Sequence, residues 1–262
     1  ATPVAEAPAA AAPTEAPAVT PPTAEPTEAP TVAPPTAEPT QEPAAPLFGT
    51  GYCGNAFYPV IEGRAYHYTT NSTLEGSEAY TTTYSDVTDT SFTLSTDVGD
   101  GAVITTSWQC SAAGLLSPEF TRLPGEMGDM QIEFVEATGL SIPPEDMFQV
   151  GQSWPLHYVA NATMEMEGVG TMEIQQTMTM TNTVTAIEAI SVPAGDFPNA
   201  VRVETASSIV SVISMGGQAQ PGVTLEMPYT SWYVEGVGLV RTEMPDFFGD
   251  GANYITELVS YE

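Results

Sequence analysis

The sequence predicts an all-β protein, an antiparallel sandwich or partly open barrel built from two duplicated β units and preceded by a disordered or polyproline II stalk. Three observations carry this: the composition changes abruptly near residue 47, apolar and polar residues then alternate with period two, and two landmark sequences recur in the same order.

Residues 1–46 are almost entirely Ala, Pro, Thr, Glu and Val, and "PPTAEPT" stands at 21–27 and again at 34–40. Too little apolar surface is present there to offset the entropy of ordering, so no independent fold is expected. Proline every three to five residues favours polyproline II, at ~3.1 Å per residue a spacer of at most about 140 Å. The segment reads as a stalk that holds the following domain away from a surface.

Residues 47–262 read as the β body. Period-2 runs include "RAYHYTT" (64–70) with Tyr66 and Tyr68 on one face, "SFTLST" (91–96) with Phe92 and Leu94, and "AVITTSWQC" (102–110) with Ile104, Trp108 and Cys110 in register. "AVRVETA" (200–206) and a C-terminal strand within 252–262 continue the pattern. Turn signals separate the runs: Asp100-Gly101, Gly168-Val169-Gly170, Pro193-Ala194-Gly195-Asp196, Gly216-Gly217 and Asp250-Gly251. No amphipathic helix of ten residues is legible, and "PEDMFQV" (144–150) suits one helical turn.

"HYTTNSTLE" (67–75) matches "HYVANATME" (157–165) without a gap, and "TSWQCSAAGLLS" (106–117) lies over "TSWYVEGVGLVR" (230–241). The offsets, 157 − 67 = 90 and 230 − 106 = 124, differ by 34 residues, most of which an extra hairpin in "SIVSVISMGGQAQPGVTLEMPY" (208–229) would supply. Copy one is then about 57–120, a linker about 121–147, and copy two about 148–243. Units this small bury too little alone, so one shared core is expected.

Three stretches carry a resemblance: "FYPVIEGRAYHY" (57–68), "VPAGDFPNAVRVE" (192–204) and "SWYVEGVGLVRTE" (231–243). Together they resemble uncharacterised bacterial secreted or lipoprotein β-sheet domains with a C-terminal W-Y-x-x-G-V-G-x-V-[KR] signature. The resemblance implies a curved antiparallel sheet akin to lipoprotein-carrier half-barrels and implies no known reaction. A second, shorter copy and a cysteine pair depart from the pattern.

The charge is −29, with 33 acidic residues against Arg64, Arg122, Arg202 and Arg241 and no lysine. Such a surface repels phosphate backbones and anionic bilayers, which excludes nucleic acid as a partner. No stretch of about 18 apolar residues is present, so no transmembrane segment is expected, and membrane anchoring would need a lipid or a processed N-terminus. Cys53 and Cys110, without CxxC spacing, suit a structural disulfide and an extracytoplasmic, secreted or cell-surface location.

Candidate chemistry is sparse. Leu156, Tyr158, Ala160, Ala162, Met164 and Met166 share a parity, which Met172, Ile174, Gln176, Met178 and Met180 continue after the turn. A hairpin closed by Gly168–Gly170 would set Met166 against Met172, Met164 against Ile174, Met178 against Ala160 and Met180 against Tyr158. Three converging thioethers could take a soft metal, but Met also fills cores, and a filled, dry interior is the expectation. His67 and His157, the two histidines, occupy matching positions opposite their neighbouring tyrosines and read as outward strand residues. No serine elbow, HExxH site or phosphate loop is present, so no enzyme and no cofactor are expected. Asp97, Asp100, Asp246 and Asp250 stand beside glycine in "DVGDG" and "DFFGDG"; these read as turns, with calcium ligation the alternative. Asn71 and Asn161 lie in N-x-T sequons.

The leading functional expectation is a non-catalytic cell-surface protein, structural or adhesive, that self-assembles or engages envelope components. The alternative is a binding module holding a lipid or other apolar ligand in a curved-sheet cleft lined by Tyr66, Tyr68, Trp108, Trp154, Tyr158, Met164, Met166, Met172 and Trp232. A calcium-dependent adhesion domain is the third.

Overall fold

Alternating side chains and Gly- or Asp-rich turns leave the chain after residue 64 one economical arrangement, in which each strand folds back beside the last. In the computed structural model the strands are β1 (Ala65–Ser72), β2 (Gly76–Ser85), β3 (Ser91–Asp97), β4 (Val103–Ser111), β5 (Gly114–Leu116), β6 (Gln131–Gly139) and β7 (Ser153–Met166). They continue as β8 (Gly170–Val192), β9 (Gly195–Met215), β10 (Gln218–Ala219), β11 (Val223–Glu226), β12 (Tyr229–Val234), β13 (Gly238–Met244) and β14 (Tyr254–Tyr261). The structure describes residues 48–74, 76–99, 101–118, 131–166, 170–245 and 252–262, with the side chains of 131 and 166 left aside. The chain divides after Glu42, and every described residue belongs to the second unit, Pro43–Glu262.

The sheet runs β5-β4-β3-β2-β1-β14-β13-β12-β9-β8-β7-β6, and each pairing is antiparallel. Pairing of the last strand with the first turns this meander into a nearly closed twelve-strand barrel. Its remaining seam, between β5 and β6, is stitched where Leu115 bridges Ile142, with the Leu115 N–H donating to Ile142 O at 2.8 Å and the Ile142 N–H donating back at 3.1 Å. Gly114 stands beside this stitch with φ +131°, where a Cβ would lie 2.5 Å from Ile142 O, so the chain passes there only without a side chain. β10 and β11 lie off the ring as a returning limb on β9.

The first sequence anchor falls on β1 and β7. His67 and His157 both turn outward, and each imidazole Nδ1 hydrogen-bonds a threonine of the next strand, Thr81 Oγ1 at 3.0 Å and Thr179 Oγ1 at 3.3 Å. Tyr68 and Tyr158 beside them are both buried. The second anchor falls on β4 and β12 but does not keep its facing. Trp108 turns inward, whereas Trp232, on the opposite face of its strand from Ser231 and Tyr233, is buried between Arg202 and Arg241, their guanidinium carbons 5.9 and 5.8 Å from its ring centre. The Trp232 indole N–H donates to Glu188 Oε1 at 2.8 Å, and Arg241 pairs with Glu243 and, at 3.0 Å, with Glu257.

Register corrects one expectation. Met164 opposes Met172, Met166 opposes Gly170, Met178 opposes Tyr158 and Met180 opposes Leu156, two residues away from the expected pairing. Parity survives a slip of two, so the same side chains face inward.

Residues 48–63 cross one end of the barrel. Cys53 joins Cys110 of β4 in a disulfide, the Asn55 side-chain amide donates to Pro143 O at 3.0 Å, Gly236 N–H donates to Ala56 O at 2.7 Å, and Phe57 stacks on Phe148 at 4.4 Å. These contacts reach β4, the segment before β7 and the β12–β13 turn, so the crossing closes that end as a plug. A short 3-10 turn at Glu145–Met147 offers a Glu145 carboxylate to the Ala56 N–H at 2.6 Å.

Candidate functional site

Twelve strands make a ring wider than its own side chains fill. The interior accordingly separates into a packed aromatic zone at the plugged end and a hollow. The hollow has a volume of about 1280 Å³ and runs from Tyr58, Trp108 and Tyr233 near the plug to Glu78, Val98 and Gly99 at the opposite rim. The expectation of a single filled, dry interior is corrected by this hollow.

The wall is mixed. Ile104, Leu94, Leu156, Met180 and Val203 supply apolar surface, and Trp108, Tyr158 and Tyr229 supply aromatic surface. Between them lies a band of hydroxyl and amide groups tied to each other: Thr205 Oγ1 donates to Asn182 Oδ1 at 2.7 Å, the Asn182 amide reaches Trp154 O at 3.4 Å, and Ser231 and Thr242 share a hydrogen bond of 3.3 Å. Tyr158 donates its hydroxyl to Ser117 O at 2.8 Å. A polar band satisfied within the protein imposes little desolvation penalty on an apolar guest. Outward residues of the long strands, among them Glu173, Gln175, Thr177, Thr179 and Thr181, are polar, the reverse of a lipid-facing barrel.

At the plugged end Trp108 stacks on Tyr58 at 5.5 Å and on Phe92 at 5.4 Å, and Tyr84 meets Tyr58, Tyr66 and Phe92 edge-on at 5.9, 5.8 and 5.5 Å. A smaller chamber of about 150 Å³ opens among Tyr58, Tyr66, Tyr68, Tyr80 and Tyr84, sharing Tyr58 and Tyr80 with the large hollow. Burial pushes the Tyr58 and Tyr80 hydroxyls up to about 12, and it holds those of Tyr68 and Tyr84 well above the ordinary phenol value. Neutral tyrosines therefore stabilise the fold below pH ~10. As pH rises from ~10 through ~12 the unfolded chain releases these protons first, and stability falls. Alkaline unfolding followed by circular dichroism is expected to coincide with a cooperative rise in phenolate absorbance over that window; a phenolate titration centred near 10 with the fold intact would contradict the burial.

Of the residues singled out in the sequence, Trp108 and Tyr158 line the large hollow, and Tyr66 and Tyr68 line the smaller chamber. Trp154 is buried against Phe148 and Trp232 between two arginines, both outside the lining, and Met164 and Met172 oppose each other farther along the β7–β8 pair. The Met166 side chain lies outside the described residues. The sequence reading missed Tyr58, Tyr80, Tyr229, Tyr233, Asn182 and Thr205. Strand parity was the available signal, since Tyr229, Ser231 and Tyr233 alternate opposite Trp232. Asp97 is exposed and accepts from Gly99 N–H at 2.9 Å in an Asx turn, while Asp100, Asp246 and Asp250 lie outside the described residues. Among the described residues no three His, Cys, Asp or Glu side chains gather as a metal site, and no helix is long and apolar enough to cross a membrane.

Fold and hollow together define a class: an up-and-down antiparallel barrel, plugged at one end and built around a hollow of about 1280 Å³. A family model described as DUF3108-like matches residues 110–250, more than half of the sequence, and the chain belongs to that family. Among solved structures it is similar to a candidate lipoprotein from Parabacteroides distasonis (16% identity, TM-score 0.50, covering 79% of this chain and 99% of that one), which shares the fold. It is also similar to a candidate exported protein with a YmcC-like fold from Bacteroides fragilis (12% identity, TM-score 0.44, covering 82% and 98%). No curated protein matches the sequence.

Proposed function

We propose that this is a non-catalytic, extracytoplasmic envelope protein that holds an apolar or amphiphilic ligand, such as a lipid, inside the barrel. The observation that carries the reading is the hollow of about 1280 Å³ with its mixed apolar and hydroxyl wall. That volume slightly exceeds the usual ~300–1,000 Å³ of small-molecule sites and suits a chain-bearing guest. The Cys53–Cys110 disulfide and the lipoprotein character given for the Parabacteroides distasonis neighbour support the location. The recurrence of landmarks on β1 and β7 supports an origin by duplication.

Native mass spectrometry of the full chain, with titration of a naphthylamine probe read through Trp108 quenching, tests the reading. One bound guest or probe per chain is expected. Thr106→Trp, which places an indole in the hollow, is expected to weaken the probe about tenfold or more. A chain that carries no guest and binds no probe refutes the proposal.

One feature favours the adhesive reading as a second. Among the described residues β6 is paired on one side only, the Leu115–Ile142 bridge lying beyond its end, and such an edge accepts a strand from another chain. Light scattering on the full chain would show concentration-dependent oligomers in that case and a constant monomer mass otherwise.

A further inference from the structure

We propose that the smaller, tyrosine-walled chamber is a cage for a quaternary-ammonium group, so that the guest is an amphiphile with a trimethylammonium-type head and an apolar tail lying in the large hollow. The inference rests on the ligand-binding reading above and adds the chemistry of the head. Five of the ten residues that wall this chamber are tyrosines, and Leu94, Val237 and Leu239 fill the gaps between them. The Tyr68 and Tyr80 rings are stacked 5.2 Å apart, while Tyr66 and Tyr84 stand at 81° to each other, so ring faces and edges enclose the space from different directions. An aromatic face carries a negative quadrupole and attracts a cation, most strongly one whose hydration shell is weak. The volume, about 150 Å³, is that of a cavity that takes up benzene, a molecule of about the bulk of a trimethylammonium group.

The surroundings select the sign. Tyr66 donates its hydroxyl to Pro59 O at 3.3 Å and Tyr68 donates to Leu239 O at 3.0 Å, so these two protons are committed within the protein. Among the described residues lining the two chambers, Glu78 is the sole charged side chain. An anionic head would find no cationic side chain in either lining, Arg64 being engaged with the Tyr66 and Tyr261 rings, while a cation gains the ring faces and the field of a chain of net charge −29. Tyr66 already shows this affinity, for the Arg64 guanidinium carbon lies 5.8 Å from its ring centre and 5.4 Å from that of Tyr261.

The test compares dodecyltrimethylammonium, dodecylammonium and dodecanol, below their micellar concentrations, for binding to the full chain by calorimetry, with enough salt to screen surface charge. The trimethylammonium compound is expected to bind about tenfold tighter than either of the others. Tyr68→Leu is expected to collapse the ratio of trimethylammonium to alcohol affinity, and Tyr68→Phe to retain it. Equal affinity for the primary and quaternary amines, or for the alcohol, overturns the cage while leaving the ligand-binding reading intact. Failure of all three to bind overturns both. Should the leucine variant not fold, the ranking on the unaltered chain decides.

Discussion

Replacing Cys110 with Ala, or reducing the disulfide, is expected to cost the barrel about 4 kcal/mol of stability and to loosen the plug. The bond links positions 57 residues apart, and the chain-entropy relation for a loop of that length gives about 4 kcal/mol at 25 °C. For a β body of this size that corresponds to a fall in Tm on the order of 10 °C. The effect reaches the site because the tethered segment carries Tyr58, which stacks on Trp108 at 5.5 Å and belongs to both chambers. Urea unfolding with and without reductant, followed by probe titration on the reduced folded protein, measures both consequences. An unchanged unfolding midpoint would mean that the other plug contacts suffice without the bond.

Phe92→Ala should be comparably severe, a loss of about 3–5 kcal/mol. Phe92 is 2% exposed and sits behind the chamber walls, its ring 5.4 Å from Trp108 and 5.5 Å from Tyr84. Removing it deletes transfer free energy and leaves a void where three aromatic residues lean on one another, so the walls lose the support that orients them. Thermal unfolding reports the stability term, and weaker naphthylamine binding reports the lost orientation. A loss below ~1 kcal/mol would show that the aromatic zone collapses to fill the gap.

Much of the fold could be read along the chain. Alternation at Tyr66 and Tyr68 or at Ile104 and Trp108 is a local property, fixed by the two-residue period of an extended backbone, and it assigned strand and facing correctly there. The cysteine pair was legible because two cysteines without metal spacing leave few alternatives. Trp232 shows where this reasoning stops. Its neighbours match those of Trp108, yet it points away from the hollow and is buried between two arginines, because the unbroken alternation of β12 gives the inward face to Tyr229, Ser231 and Tyr233. The β7–β8 register was missed by two residues for a related reason: parity constrains which face a methionine occupies but not which partner it meets.

Composition, period and turn chemistry by themselves determined that this chain is all-β, strongly acidic, preceded by a Pro-rich segment and supplied with one disulfide pair, because each of these depends on residues close in sequence or on simple counts. Only the tertiary structure decided that the strands close into a ring of twelve, that a plug seals one end, and that the interior is hollow. Whether an inward face is filled or empty depends on the circumference that all the strands make together, and no single strand carries that quantity.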